Sequence, residues 1–153
     1  MKNAKLFETH IKTRNLEEAI SFYENLGLML ATVIQERRVA FFWLGDPDKK
    51  EQMIGIWEVA KEKFIPAHFA FYVEYDQLLE IPAFLQGENI PLTESFGLKT
   101  SDAVVHAWMP SASYYFSDPD GNSLEYITAL EGEPAPHLGT LHLKDWLKRK
   151  EDY

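Results

Sequence analysis

Among the histidines and carboxylates that lie within predicted strands, three could share a metal ion: His10, His68 and Glu125, separated by 58 and 57 positions. Two imidazoles and a carboxylate leave positions open on a divalent first-row ion, where water or a substrate oxygen can sit. Glu125 poses the sharpest question. It lies in "YYFSDPDGNSLEYI" (114–127), among aromatic and aliphatic neighbours, with no obvious Arg or Lys in the flanking strand positions. A carboxylate so placed needs a partner for its charge. Taken singly, each of the three reads more readily as a hydrogen-bonded core residue than as a ligand; what joins them is the order of the elements that carry them.

"KLFETHIK" (5–12) alternates as a strand does and carries His10. "RNLEEAISFYENLGL" (14–28) reads as a helix that Asn15 caps, with Glu18 three residues on and Gly27 at its end. "LMLATVIQ" (28–35), "RVAFFWLG" (38–45) and "QMIGIWEV" (52–59) read as strands, with "DPDKK" (46–50) as a turn. The order is β-α-β-β-β. It then repeats: "AHFAFYVE" (67–74) is a strand carrying His68, and "YDQLLEIPAFLQGEN" (75–89) is a helix interrupted or bent near Pro82. "IPLTESFG" (90–97) is taken as a strand, and "SYYFSD" (113–118) with "NSLEYITA" (122–129) as a hairpin about "DPDG", a type I turn. The segment "LKTSDAVVHAWMPSA" (98–112) is not assigned. "LEGEPAPHLG" (130–139) is loop, and "TLHLKDWLKRKE" (140–151) reads as a short amphipathic helix. The expected organisation is one domain over 1–130, made of two modules (about 5–60 and 66–130), followed by a C-terminal loop and helix over 131–153. His10 and His68 fall at equivalent places in the two modules, as a repeat requires.

The chain has 153 residues, of which 46% are hydrophobic, enough for one compact domain or two small modules. It has no cysteine, which removes disulfides and thiolate metal sites and is consistent with a reducing, cytoplasmic setting. No apolar run approaches the roughly 20 residues that span a bilayer, and "MKNAKLFETHIK" lacks the apolar region of a secretory signal. The net charge of −9 repels a polyanion, so no nucleic-acid partner is expected. The basic cluster "KDWLKRK" (144–150) reads as a solvated helix face.

Residues 5–130 resemble the vicinal oxygen chelate superfamily, which includes glyoxalase I, fosfomycin-resistance proteins, extradiol dioxygenases and bleomycin-resistance proteins. The resemblance is carried by the strand histidine followed by "IKTRNLEEAISFYENLGL", by "AHFAFYV", and by "YYFSDPDGNSLEYI". It implies an α+β fold of two βαβββ modules whose curved mixed sheets form a glyoxalase-like cleft. It implies one divalent metal (Mn, Fe, Zn, Ni or Co) held by His10, His68 and Glu125, with Glu125 catalytic. A small oxygen-bearing substrate and a homodimer whose sites combine modules of both chains belong to the same expectation. Glyoxalase I enzymes supply a fourth ligand, a Glu, from the last strand of the first module. Aligned on that strand, Gly55 takes the ligand position here and Glu58 points to the opposite face unless a bulge intervenes.

Other candidates are weaker. Tyr114, Tyr115 and Tyr126 read as packing residues with satisfied hydroxyls, or as donors to a substrate. His106 and Trp108 lie in the longer part of the second module, where they shape a cleft, a dimer contact or a surface loop. "FFW" (41–43) reads as core, and His137 and His142 lie in the tail. There is no phosphate loop and no Gly-x-Ser-x-Gly elbow. Two function classes remain: a metal enzyme that stabilises an oxyanion, and a non-catalytic binding or sequestering module of the bleomycin-resistance type. A dioxygenase also needs acid–base residues near the metal, which the sequence does not assign.

Overall fold

The computed structural model describes residues 2–149. The chain divides into two units, residues 1–67 with 118–122, and residues 68–117 with 123–153. Each is built on one mixed sheet, and the fold is α+β.

In the first unit β1 (Glu8–Thr13) leads to α1 (Leu16–Asn25), then to β2 (Met29–Ile34), β3 (Val39–Leu44) and β4 (Gln52–Glu58), in the sheet order β1-β4-β3-β2. The Asn15 side chain accepts from Glu18 N–H at 3.0 Å, and Gly27 leaves the helix at a φ of 89°. Alternation along β4 puts Ile54 and Ile56 on one face, fully buried with Phe42 and with Leu16, Ala19 and Tyr23 of α1. The other face carries Met53, Gly55 and Trp57, beside Glu8 and His10 of β1 and Phe41 and Trp43 of β3.

The turn residues 118–122 belong to this first unit and explain the "DPDGN" run. The Asp118 carboxylate accepts from the Tyr23 hydroxyl at 2.8 Å and from the Asn122 amide at 2.8 Å. Asp120 accepts from Arg14 N–H at 2.8 Å and from the Thr13 hydroxyl, and the Asn122 amide donates to the Lys12 carbonyl at 3.0 Å. Burial and the neighbouring Asp118 charge push the Tyr23 phenol well above its ordinary range, so it stays a donor.

In the second unit β5 (His68–Tyr72) leads to α2 (Tyr75–Gly87), then β6 (Val104–His106), β7 (Ser111–Ser117) and β8 (Ser123–Ala129). β9 (Thr140–His142) and α3 (Leu143–Lys148) follow, and the sheet order is β5-β8-β7-β6-β9.

Three local expectations are narrowed or corrected. α2 is not interrupted at Pro82, because Leu78, Ile81 and Leu85 are buried on one stripe of it. Burying each is worth roughly 2 kcal/mol, enough together to offset the ~3 kcal/mol of an interior proline. Residues 90–97 form no strand; Phe96 and Gly97 are left-handed, with φ of 55° and 74°, and β6 from the unassigned segment takes the strand's place. The terminal helix is shorter than expected, since Thr140–His142 pair with β6 instead. Lys150 and Glu151 of that expectation lie outside the described residues. Among the described residues no helix is long and apolar enough to cross a membrane.

Candidate metal centre

Parallel pairing of β5 with β8 sets His68 opposite Ser123 and Ala70 opposite Glu125, so His68 and Glu125 are diagonal neighbours on one face. His68 Nε2 stands 3.1 Å from Glu125 Oε2. His68 Nδ1 donates to the Ser123 carbonyl at 3.0 Å, with the Ser123 hydroxyl at 3.1 Å. A carbonyl only accepts, so Nδ1 carries the proton and the neutral ring presents its lone pair at Nε2. That lone pair meets a carboxylate oxygen, which is also an acceptor. The contact therefore calls for a cation, either a second proton on the imidazole or a metal ion.

Glu125 is buried, at 5% exposure. Its Oε1 accepts from the Ser113 hydroxyl and from the Tyr115 hydroxyl at 3.1 Å, both on the neighbouring strand β7. The Tyr115 oxygen lies 2.7 Å from His106 Nε2. Since the phenol proton goes to Glu125, His106 donates, and a continuous proton path runs His106 Nε2–H, Tyr115 O–H, Glu125 Oε1. Burial, then the Glu125 charge, pushes the Tyr115 phenol well above its ordinary range, so it remains protonated. A cavity of about 360 Å³ opens beside His68, Tyr115 and Ser123, with Phe96 on its wall.

His10 lies in the first unit and is fully hydrogen-bonded there. Trp57 Nε1–H donates to its Nδ1, and its Nε2 contacts a Glu8 carboxylate oxygen. Gly55 makes room for the ring: a Cβ there would meet Phe41 at 2.9 Å and His10 Nδ1 at 3.0 Å. Within the single chain and among the described residues, no three His, Asp or Glu side chains gather as a metal-holding group; His68 and Glu125 come together without a third.

The sheet registers also bear on the ligand alignment. Gly55 pairs with Phe41 as Glu125 pairs with Tyr115, an aromatic residue opposite in each case. If Gly55 is the counterpart of Glu125, the counterpart of His68 is Glu8, because His68 and Glu8 sit opposite the residues two before Glu125 and Gly55. If His10 is the counterpart of His68, then Trp57 is the counterpart of Glu125. His10 and Gly55 cannot both hold the equivalent places.

Glu58 is structural. Its carboxylate accepts from Leu16 N–H at 2.8 Å and from Arg38 at 2.8 and 2.9 Å, and these bonds hold it below the usual carboxylate range. Ser113, Glu8 and Trp57 are additions that sequence spacing alone did not mark. Tyr114 and Tyr126 pack, the latter phenol pushed up to about 12 by burial.

No protein-family model matches the chain. Among solved structures it is similar to an integron cassette protein from the mobile metagenome of the Halifax Harbour sewage outfall, at 31% identity over 82% of this chain and 98% of that one, with a TM-score of 0.67. It shares the fold of a lactoylglutathione lyase from Agrobacterium tumefaciens, at 22% identity over 84% and 96% of the two chains and a TM-score of 0.63. It also shares the fold of a glyoxalase/bleomycin resistance protein/dioxygenase from Nocardioides, at 18% identity over 88% and 89% and a TM-score of 0.61.

Proposed function

From the fold that the chain shares with glyoxalase/bleomycin resistance/dioxygenase proteins, we propose that it is a member of the vicinal oxygen chelate superfamily and a divalent-metal-dependent enzyme acting on a small substrate with adjacent oxygens. The observation that carries this reading is the meeting of two acceptors, His68 Nε2 and Glu125 Oε2, at 3.1 Å. The donor set fits a divalent cation, because the His68 tautomer is fixed by Ser123 and the second oxygen of Glu125 is held by Ser113 and Tyr115. A divalent ion there supplies positive charge to an oxyanion forming on the substrate.

The chain's own groups do the rest. His68 and Glu125 orient the centre, and Tyr115 holds a proton that His106 can replace from the half-exposed end of the path. These are acid–base groups of the kind a ring-cleaving dioxygenase needs. A third ligand comes, in this reading, from the first unit of a second copy. The family resemblance implies His10; the register and the engagement of both His10 nitrogens favour Glu8. The rival, a non-catalytic binding module, draws on the single chain's holding only two candidate ligands together among the described residues.

Elemental analysis of protein purified without added metal, then a panel of divalent ions in assays with substrates of each branch, tests the proposal. About one ion per chain and ion-dependent turnover are expected. Metal-free protein that binds no ion when titrated would leave the binding module as the better reading.

A further inference from the structure

The face that carries His68 and Glu125 continues along the sheet to a second, larger cavity. Ile127 and Ala129 follow Glu125 on that face, Tyr72 pairs with Ile127, and Ser111 pairs with Ala129. Beyond them lies a cavity of about 590 Å³ whose walls include Tyr72, Trp108, Met109, Ile127, Leu130 and Pro134. Its nearest row, Ile127 and Tyr72, is about 7 Å along the strand from Glu125. The rim is tied by backbone bonds: Leu130 N–H to the Pro110 carbonyl at 2.8 Å, Ala135 N–H to the Ala107 carbonyl at 2.7 Å, and Ala107 N–H to the Gly139 carbonyl at 3.0 Å. Such a rim needs little ordering when a ligand arrives.

The lining has the character of a small-molecule site, apolar and aromatic with few polar groups. Trp108 is 58% exposed and Tyr72 64% exposed, so large rings stand open to solvent at its mouth. Ser111 also lines it, 3% exposed, and its hydroxyl has no hydrogen-bond partner. A buried hydroxyl without a partner is costly unless a ligand supplies one. Neither this cavity nor the one beside His68 is lined by Lys or Arg among the described residues, and the chain's net charge is −9. Away from the metal position, an anionic group would meet no cationic side chain in either.

We propose that this cavity is the subsite for the body of the substrate, an uncharged molecule with adjacent oxygens at one end and an aryl group roughly 7 Å away. The proposal rests on the metal-site reading for the oxygen end and on the cavity alone for the aryl end.

Hydroxamates test it, since they offer two adjacent oxygens to a metal on a chosen body. Calorimetric titration of zinc-loaded protein would compare acetohydroxamate, 3-phenylpropanohydroxamate and the anionic 3-carboxypropanohydroxamate. The phenyl compound should bind about tenfold tighter than acetohydroxamate or better, from buried ring area, and the carboxylate compound no tighter. Trp108→Ala removes a wall and Ala129→Trp fills the cavity from an exposed position; each should erase most of the phenyl advantage. Equal affinities, an advantage that both variants leave intact, tighter binding of the anionic compound, or no binding of the phenyl compound would overturn the proposal. Chelator-treated protein separates the two readings. If acetohydroxamate binding needs zinc but the phenyl group adds nothing, the cavity proposal fails alone. If all the hydroxamates bind chelator-treated protein as tightly as zinc-loaded protein and the phenyl advantage persists, the metal-site reading fails and the cavity stands.

Discussion

His68 Nε2 and Glu125 Oε2 face each other at 3.1 Å while the opposite ring nitrogen of His68 is engaged by the Ser123 carbonyl at 3.0 Å. The pair is built from three directions. β5 brings the ring, β8 brings both the carboxylate and the carbonyl that sets the tautomer, and β7 brings the hydroxyls that hold the carboxylate's far oxygen.

Removing one of those hydroxyls should be felt. Tyr115→Phe leaves Glu125 Oε1 with Ser113 and cuts the path to His106. Urea unfolding at pH 7 should register a loss of about 1–2 kcal/mol. Turnover on an identified substrate should fall roughly a hundredfold with metal affinity kept within a few-fold. An unchanged turnover would reduce Tyr115 to a packing residue.

Much of the fold was legible. The β-α-β-β-β order of the first unit follows from alternation, from Asn15 and from Gly27, and the hairpin about 118–122 follows from its turn residues. Residues 90–97 read as a strand from sequence because the left-handed backbone at Phe96 carries no mark in a non-glycine residue. β9 was hidden inside a helical pattern, since "TLH" has a partner strand only in the folded chain. The repeat of elements and the family resemblance singled out His68 and Glu125, which the fold sets 3.1 Å apart. The register of β1 against β4 could not be read from the sequence, and it is what makes Glu8 a rival to His10 for the ligand proposed from the first unit.

That choice is testable by substitution. Glu8→Gln should weaken binding of a divalent ion at least tenfold, and His10→Gln should weaken it less, because both His10 nitrogens already have partners. The reverse order in a manganese titration would restore His10 to the ligand position.

A site shared between copies, as proposed, would make a complementation possible. Glu8→Gln and Glu125→Gln chains, each defective alone, should recover part of the metal binding when mixed and allowed to exchange subunits, since one of the two sites in a mixed dimer is intact. Sedimentation should show a dimer. No recovery on mixing, or a metal-bound monomer, would argue for a site contained in one chain.

Glu58 gives a pH dependence unconnected with metal. Arg38 and the Leu16 N–H hold its carboxyl below its ordinary value of 4.5 in the folded chain. The stabilisation is therefore complete above that value and fades as pH falls through the lower folded one. Glu58→Gln should cost about 1–2 kcal/mol at pH 7, and the difference from the parent should shrink toward pH 3. A gap that stays constant across thermal melts at both pH values would mean that the charge contributes nothing.

The most direct measurement is calorimetric titration of manganese or zinc into chelator-treated parent and Glu125→Gln at pH 7.5. The parent should bind one ion per chain, and the variant, with nearly the same shape and no charge, should bind it about a hundredfold more weakly or not at all. Equal binding by the two proteins, or none by the parent, would contradict a metal centre at His68 and Glu125.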